Sequence, residues 1–142
     1  MNSNTFHLAI EVGDLTNAID FYTNILGCES CNSELPHWID IDFWGNELTL
    51  HSSNPKEDCT NNTDKDLHAV DMGMVVVPHF GVHLDSNIFK DIKDRIKKHN
   101  ISYVQEPYIR FKDTDLEQET CFIKDPHGNI LELKSLSTGA WR

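Results

Sequence analysis

Three residues interrupt apolar, strand-like runs with side chains that bind metals. His7 precedes Leu8-Ala9-Ile10, His79 precedes Phe80-Gly81-Val82, and Glu132 sits between Leu131 and Leu133. Two imidazoles and one carboxylate form the facial donor set of non-haem Fe(II) sites, and they also suit Mn(II), Zn(II), Co(II) or Ni(II). Three protein ligands leave coordination positions for a bidentate substrate, dioxygen or water, which marks a catalytic site rather than a structural one. Buried without a cation or hydrogen bonds, the same three groups would be costly.

An internal repeat lifts these residues above ordinary strand residues. His7-Leu8-Ala9-Ile10-Glu11-Val12 is echoed by His79-Phe80-Gly81-Val82-His83-Leu84. Asp42 to Leu50 is echoed by Asp125 to Leu133, with Thr49 standing where the second copy has Glu132.

The elements that must position these residues are legible from periodicity. Phe6 to Val12 alternates, with Phe6, Leu8, Ile10 and Val12 on one face and His7, Ala9 and Glu11 on the other, as in a half-buried strand. Asp14 then caps a helix whose stripe is Leu15, Ala18, Ile19, Tyr22, Ile25 and Leu26, closed by Gly27. Strands follow near Glu29 to Ser33, Trp38 to Phe43 and Glu47 to Ser52, the last two joined by a tight turn at Gly45 and Asn46.

The second half repeats the order. Val75 to Leu84 reads as a strand, and Ser86 caps a helix carrying Ile88, Phe89, Ile92 and Ile96. Asn100 takes the left-handed position. Strands follow near Ser102 to Gln105, Thr120 to Lys124 and Asn129 to Lys134, with Asp125-Pro126-His127-Gly128 as a type I turn. The expectation is a single α+β domain of two βαβββ modules, residues 1–53 and 75–138, forming a curved eight-stranded mixed sheet. Residues 54–74 between them are polar and aperiodic, a linker or a lid. In both modules the parity turns His7, Thr49, His79 and Glu132 away from the helix. If the halves join, these positions converge in a cup.

Composition narrows the function classes. A length of 142 residues fits one domain with a proper core. The formal net charge of −11 disfavours nucleic acid and anionic membranes as partners. Met1 to Thr5 lacks the basic and apolar segments of a signal peptide, and no apolar run approaches the roughly 20 residues of a membrane span. A cytoplasmic location follows as the expectation, with Cys28, Cys31, Cys59 and Cys121 as reduced thiols.

The motifs resemble those of the vicinal oxygen chelate superfamily, which holds glyoxalase I, extradiol dioxygenases, fosfomycin-resistance enzymes and bleomycin-binding proteins. The likeness rests on His7 opening a strand, Val12-x-Asp14-Leu15, Phe21-Tyr22, Leu26-Gly27 and the ending Phe122-x-x-Asp125-Pro126-x-Gly128-Asn129-x-x-Glu132. It covers almost the whole chain except the middle segment. It implies paired βαβββ modules around a metal-binding cup, with His7, His79 and Glu132 as ligands. Phe6 to Ile10, Val77 to Val82, Glu106-Pro107 through Lys112, and Leu131 to Lys134 resemble small proteins of the extradiol dioxygenase type most closely.

Departures from relatives sharpen this expectation. Glyoxalase I sites usually carry a fourth ligand, a Glu or His, where this chain has Thr49. Glutathione-type fosfomycin enzymes carry a threonine where this chain has Ala9. The expected protein is therefore a metal-dependent dioxygenase, Fe(II) most readily, acting on a small vicinal-diol or catechol-like substrate, as a homodimer. A non-redox isomerase, lyase or transferase, or a non-catalytic binding or resistance protein, are the alternatives. Around the metal, His51 is a candidate for proton transfer. Arg110 with Tyr108 can hold a substrate carboxylate, His68 can close over the cup, and His83 aligns with Glu11 at its rim.

Overall fold

The computed structural model describes residues 4–55, 67–70, 73–139 and 141. It divides into two compact units, Met1–Glu57 with Asp125–Gly128, and Asp58–Lys124 with Asn129–Arg142.

The first unit runs β1 (His7–Gly13), α1 (Leu15–Asp20) with a π-helical continuation (Phe21–Ile25), β2 (Glu29–Glu34), β3 (Trp38–Phe43) and β4 (Asn46–Ser52). Its sheet order is β1-β4-β3-β2, with β1 parallel to β4 and the other pairs antiparallel. Asp14 caps α1 as expected, accepting from the amides of Thr16 and Asn17 at 2.7 and 3.3 Å. Leu15, Ala18, Tyr22, Ile25 and Leu26 are buried, along with Val12, Ile39, Ile41, Phe43, Leu48 and Leu50. Phe21 is buried too, a residue outside the predicted stripe. The Leu26 amide reaches back five residues to the Phe21 carbonyl, and this wider turn broadens the apolar face.

The β3–β4 turn corrects one expectation. Trp44 and Gly45, rather than Gly45 and Asn46, take positive φ, at 48° and 87°. Asn46 works through its side chain, which donates to the Phe43 carbonyl and accepts from the Phe6 amide.

The second unit runs β5 (Leu67–Val70), β6 (Gly73–Val76), β7 (Phe80–His83), α2 (Ser86–Lys98), β8 (Gln105–Arg110), β9 (Gln118–Lys124) and β10 (Ile130–Leu136). Its main sheet has the order β7-β10-β9-β8, and β5 pairs with β6 as a separate two-stranded ribbon. Both units thus contain the predicted βαβββ order, and the eight strands divide four and four between two mixed sheets. α2 packs its buried Phe89, Ile92 and Ile96 on one face, beside Leu131, Leu133, Cys121 and Ile123. Lys93 on α2 reaches Glu119 on β9 at 2.8 Å, which fixes that side of the sheet.

Several boundaries differ from the expectation for physical reasons. Pro78 has no N–H to give to a ladder, so Val75 to Leu84 is not one strand but β6 and β7. The end of the aperiodic segment pairs as β5 with the start of β6; residues 56–66, with Cys59, and 71–72 lie outside the described residues. Asp85, not Ser86, is the N-cap of α2, and its side chain makes no cap hydrogen bond. The strand expected at Ser102 to Gln105 starts where that one was to end, so Tyr108 and Arg110 lie within β8. Ile88 is partly exposed at the edge of α2. Cys28, Cys31 and Cys121 carry no disulfide.

Candidate metal centre and its surroundings

Strand register places the repeat residues at matching positions. Ala9 pairs with Thr49 across β1 and β4, and Gly81 pairs with Glu132 across β7 and β10. His7 and His79 stand two residues before Ala9 and Gly81. Thr49 and Glu132 are therefore equivalent positions on strands that differ only in the side chain they present.

In the second unit, His79 and Glu132 come together. His79 Nε2 lies 3.2 Å from Glu132 Oε1. His79 Nδ1 contacts the Val76 carbonyl at 2.5 Å, and Phe122 packs edge-on against the ring at 5.2 Å. A carbonyl only accepts, so Nδ1 carries a proton. Nε2 and the Glu132 carboxylate are then joined either by a second proton, as an ion pair, or by a metal cation that both ligate. The donor chemistry fits a divalent ion.

Glu132 is 5% exposed and well supplied with partners. The fully buried Thr120 donates to Oε2 at 2.6 Å, Lys134 Nζ lies 3.7 Å from Oε1, and Arg110 Nη1 lies 3.9 Å from Oε2. Arg110 also lies over the Phe111 ring at 4.8 Å. Gly81 is what lets β7 approach: a Cβ there would overlap the Glu132 carbonyl. Burial, and then the Lys134 charge, hold His83 below its ordinary pKa, with Glu132 acting in the opposite direction.

In the first unit, His7 is half exposed and pairs through Nδ1 with Glu47 at 2.5 Å. Its Nε2 is again the nitrogen left to act as a ligand. Thr49 gives its hydroxyl proton to Asp40 at 2.6 Å. An open cavity of about 250 Å³ borders Asp40 and Glu47.

The remaining sequence-predicted residues are placed as follows. His51 is exposed on β4 beside Glu11. Tyr108 and Arg110 lie on β8, paired with Thr120 and Gln118. His68 is exposed on β5. Thus His79, Glu132 and Arg110 are brought together in the second unit, where His68 lies on β5; His7 and His51 belong to the first unit. Among the described residues no three His, Cys, Asp or Glu side chains form a metal-holding group. Thr120 and Lys134 are parts of the cluster that sequence reasoning missed. For Lys134 the signal was strand parity, since it lies two residues beyond Glu132 on the same face; Thr120 lies opposite Lys134 across the β9–β10 ladder, a register that parity alone does not give.

No protein-family model matches the chain, and no curated protein matches it. Solved structures do. A glyoxalase/bleomycin resistance protein/dioxygenase from Alicyclobacillus acidocaldarius is 31% identical, with 94% of this chain and 92% of that one covered at a TM-score of 0.71. A lactoylglutathione lyase from Agrobacterium tumefaciens is 20% identical, with 95% of each chain covered and a TM-score of 0.63. An oxidase, ChaP-H2, is 19% identical over both whole chains at a TM-score of 0.64. The last two share the fold. The chain belongs to the glyoxalase/bleomycin resistance/dioxygenase superfamily, the vicinal oxygen chelate proteins. Among the described residues no helix is long and apolar enough to cross a membrane.

Proposed function

We propose that the chain is a metal-dependent enzyme in which His7, His79 and Glu132 hold a divalent ion, Fe(II) by preference, for extradiol-type dioxygenase chemistry on a small vicinal-diol or catechol-like substrate. One observation carries the reading. Both histidines spend Nδ1 on a fixed acceptor, Glu47 or the Val76 carbonyl, which leaves Nε2 on each as the ligand nitrogen. Metal-ligating histidines are oriented in this way. When bound, the ion would supply a place for two vicinal substrate oxygens and the redox capacity for dioxygen.

The chain's own residues would do the rest. Arg110 and Tyr108 would orient the substrate, His51 would move protons, and His68 would cover the site. Thr49 supports three-ligand rather than four-ligand coordination, because its hydroxyl is committed to Asp40. His7 and the His79–Glu132 pair belong to different units, and the ion would join them within one chain or across a homodimer.

A second reading has its own support. Arg110 and Lys134 lie within 4 Å of Glu132, at 3.9 and 3.7 Å, so the face can stabilise an enolate or alkoxide without redox chemistry. Metal analysis of anaerobically purified protein followed by an oxygen-electrode screen of catechols separates the two. Oxygen uptake with bound iron is the expected result. Turnover without oxygen uptake would favour the isomerase, lyase or transferase reading.

A further inference from the structure

The outward face of the first sheet carries negative charge that its own unit does not balance. β3 alternates strictly: Ile39, Ile41 and Phe43 are buried in the core, and Trp38, Asp40 and Asp42 point the other way. Across the ladders, Glu34 stands beside Trp38, while Glu29 and Glu47 stand on either side of Asp42. Among the described residues of this unit there is no Lys or Arg.

A bulge opens space in this face. Cys31 and Asn32 together oppose Asp40, between the pairs Ser30–Ile41 and Ser33–Ile39. The open cavity of about 250 Å³ lies there, bordered by Cys31, Asn32, Asp40, Asp42 and Glu47. Asp40 is held in place, since Thr49 donates to its Oδ1 at 2.6 Å, and among the described residues its Oδ2 has no donor. Asp42 and Glu47 each spend one oxygen, on the Gly45 amide and on His7.

Spacing sets the chemistry of the occupant. Neighbouring strands place these side chains about 4.8 Å apart, and alternate residues along β3 place them about 6.8 Å apart. Such a grid does not converge on one ion, and among the described residues no three His, Cys, Asp or Glu side chains form a metal-holding group. It matches a cation whose charges are themselves spread along an apolar chain. Trp38, partly exposed on the same face, adds an aromatic surface that attracts an ammonium and covers methylenes.

We propose that this face binds an aliphatic diamine or polyamine. One ammonium enters the cavity and donates to Asp40 Oδ2, the methylene chain runs over Trp38, and the next ammonium meets Glu34. A bare metal ion cannot reach carboxylates so far apart, and a single amine uses only one end of the face. The site belongs to the first unit alone and goes beyond the metal-dependent reading, so either one can fail without the other.

Calorimetric titration of the whole chain tests it with probes that separate charge from shape. 1,4-Diaminobutane and Mg2+ carry the same charge, butylamine carries less and spermidine more. The diamine should bind about tenfold more tightly than Mg2+ or butylamine, and spermidine more tightly still. Asp40→Asn keeps an acceptor for Thr49 and should weaken the diamine about tenfold, the worth of one charge-assisted hydrogen bond. Trp38→Leu should weaken it about fivefold and leave Mg2+ unchanged. Asp20→Asn, on α1 and outside this face, should change nothing. Mg2+ binding as tightly as the diamine would overturn the proposal, because the face would then be a plain acidic surface. So would wild-type affinity in a folded Asp40→Asn protein; if that variant melts, the exposed Glu34→Gln carries the same test with spermidine. Binding of tetralysine but of neither amine would overturn it as well, in favour of a basic protein segment.

Discussion

The two modules share a strand register and differ in what that register presents. In the first, the position beside Ala9 is Thr49, which donates to Asp40, and His7 stands half exposed with Glu47. In the second, the position beside Gly81 is Glu132, buried and held by Thr120, with the His79 ring clamped by Val76 and Phe122. One module offers His7 half solvated beside Glu47; the other offers a largely buried, preorganised imidazole–carboxylate pair. Duplication supplied the frame, and divergence at one strand position concentrated the charge in one copy.

The largest expected effects break this asymmetry directly. Glu132→Gln keeps the side-chain shape and removes the anion, so stoichiometric metal should be lost, a drop on the order of 100-fold or more in affinity. Thr49→Val, at the equivalent position, should leave metal content unchanged. Elemental analysis of both proteins decides it, and a Glu132→Gln protein with full metal would sink the ligand assignment. His7→Ala should also strip the metal. If metal stays bound without His7, the second module holds the ion alone.

Effects about an order of magnitude smaller should come from the residues that orient the ligands. Thr120→Val in the second module should weaken metal binding by roughly tenfold or somewhat more, and Glu47→Gln in the first by less. Equal losses would mean that exposed and buried supports are worth the same. A larger loss at Thr120 is expected, because its partner Glu132 is 5% exposed while the His7–Glu47 pair is half solvated.

This asymmetry also marks what was legible in the sequence. Alternation and helical period placed β1, α1 and α2 because each buries one face on a core. The repeat placed Thr49 opposite in role to Glu132. Pro78 is visible in the sequence, but in a one-dimensional pattern the apolar runs on both sides of it outweigh one missing N–H and join β6 and β7 into a single strand. Thr120 is not legible because partnership across a ladder depends on register, which a one-dimensional pattern does not contain, whereas Lys134 shares the face of Glu132 by parity on one strand. The Nδ1 partners of the two histidines were hidden for the same reason, since Val76 acts through its backbone.

A turn that follows β9 offers a further test. Asp125–Gly128 belongs to the first unit, where the Asp125 carboxylate accepts from the buried Tyr22 hydroxyl at 2.8 Å. Tyr22→Phe leaves a buried carboxylate short of a donor, at a cost of roughly 1–3 kcal/mol. Thermal melting should fall by several degrees, with metal content unchanged. A loss of metal in Tyr22→Phe would mean that this bond also governs the centre.

The smallest effect is on pH dependence, and it again contrasts the modules. Burial, and then the charge of Glu119, push the Cys121 thiol up to about 12. Burial and Asp125 push the Tyr22 phenol up as well. A raised folded-state value means that the unfolded chain ionises first. Each group's stabilisation is therefore complete below the unfolded pKa, near 9 for the thiol and 10 for the phenol, and is lost as pH rises toward the folded one. Denaturant midpoints should be flat in this respect below pH 8 and decline above 9, with Cys121 accounting for about 1 kcal/mol at pH 10. Cys121→Ala should remove that share of the slope, and Tyr22→Phe should remove the part that begins higher. At pH 8, alkylation should modify the exposed Cys31 of the first module and spare Cys121 in the second. Labelling of Cys121 as fast as the exposed Cys31 would show that the second module opens readily, against the closed, preorganised pair that its buried Glu132 implies.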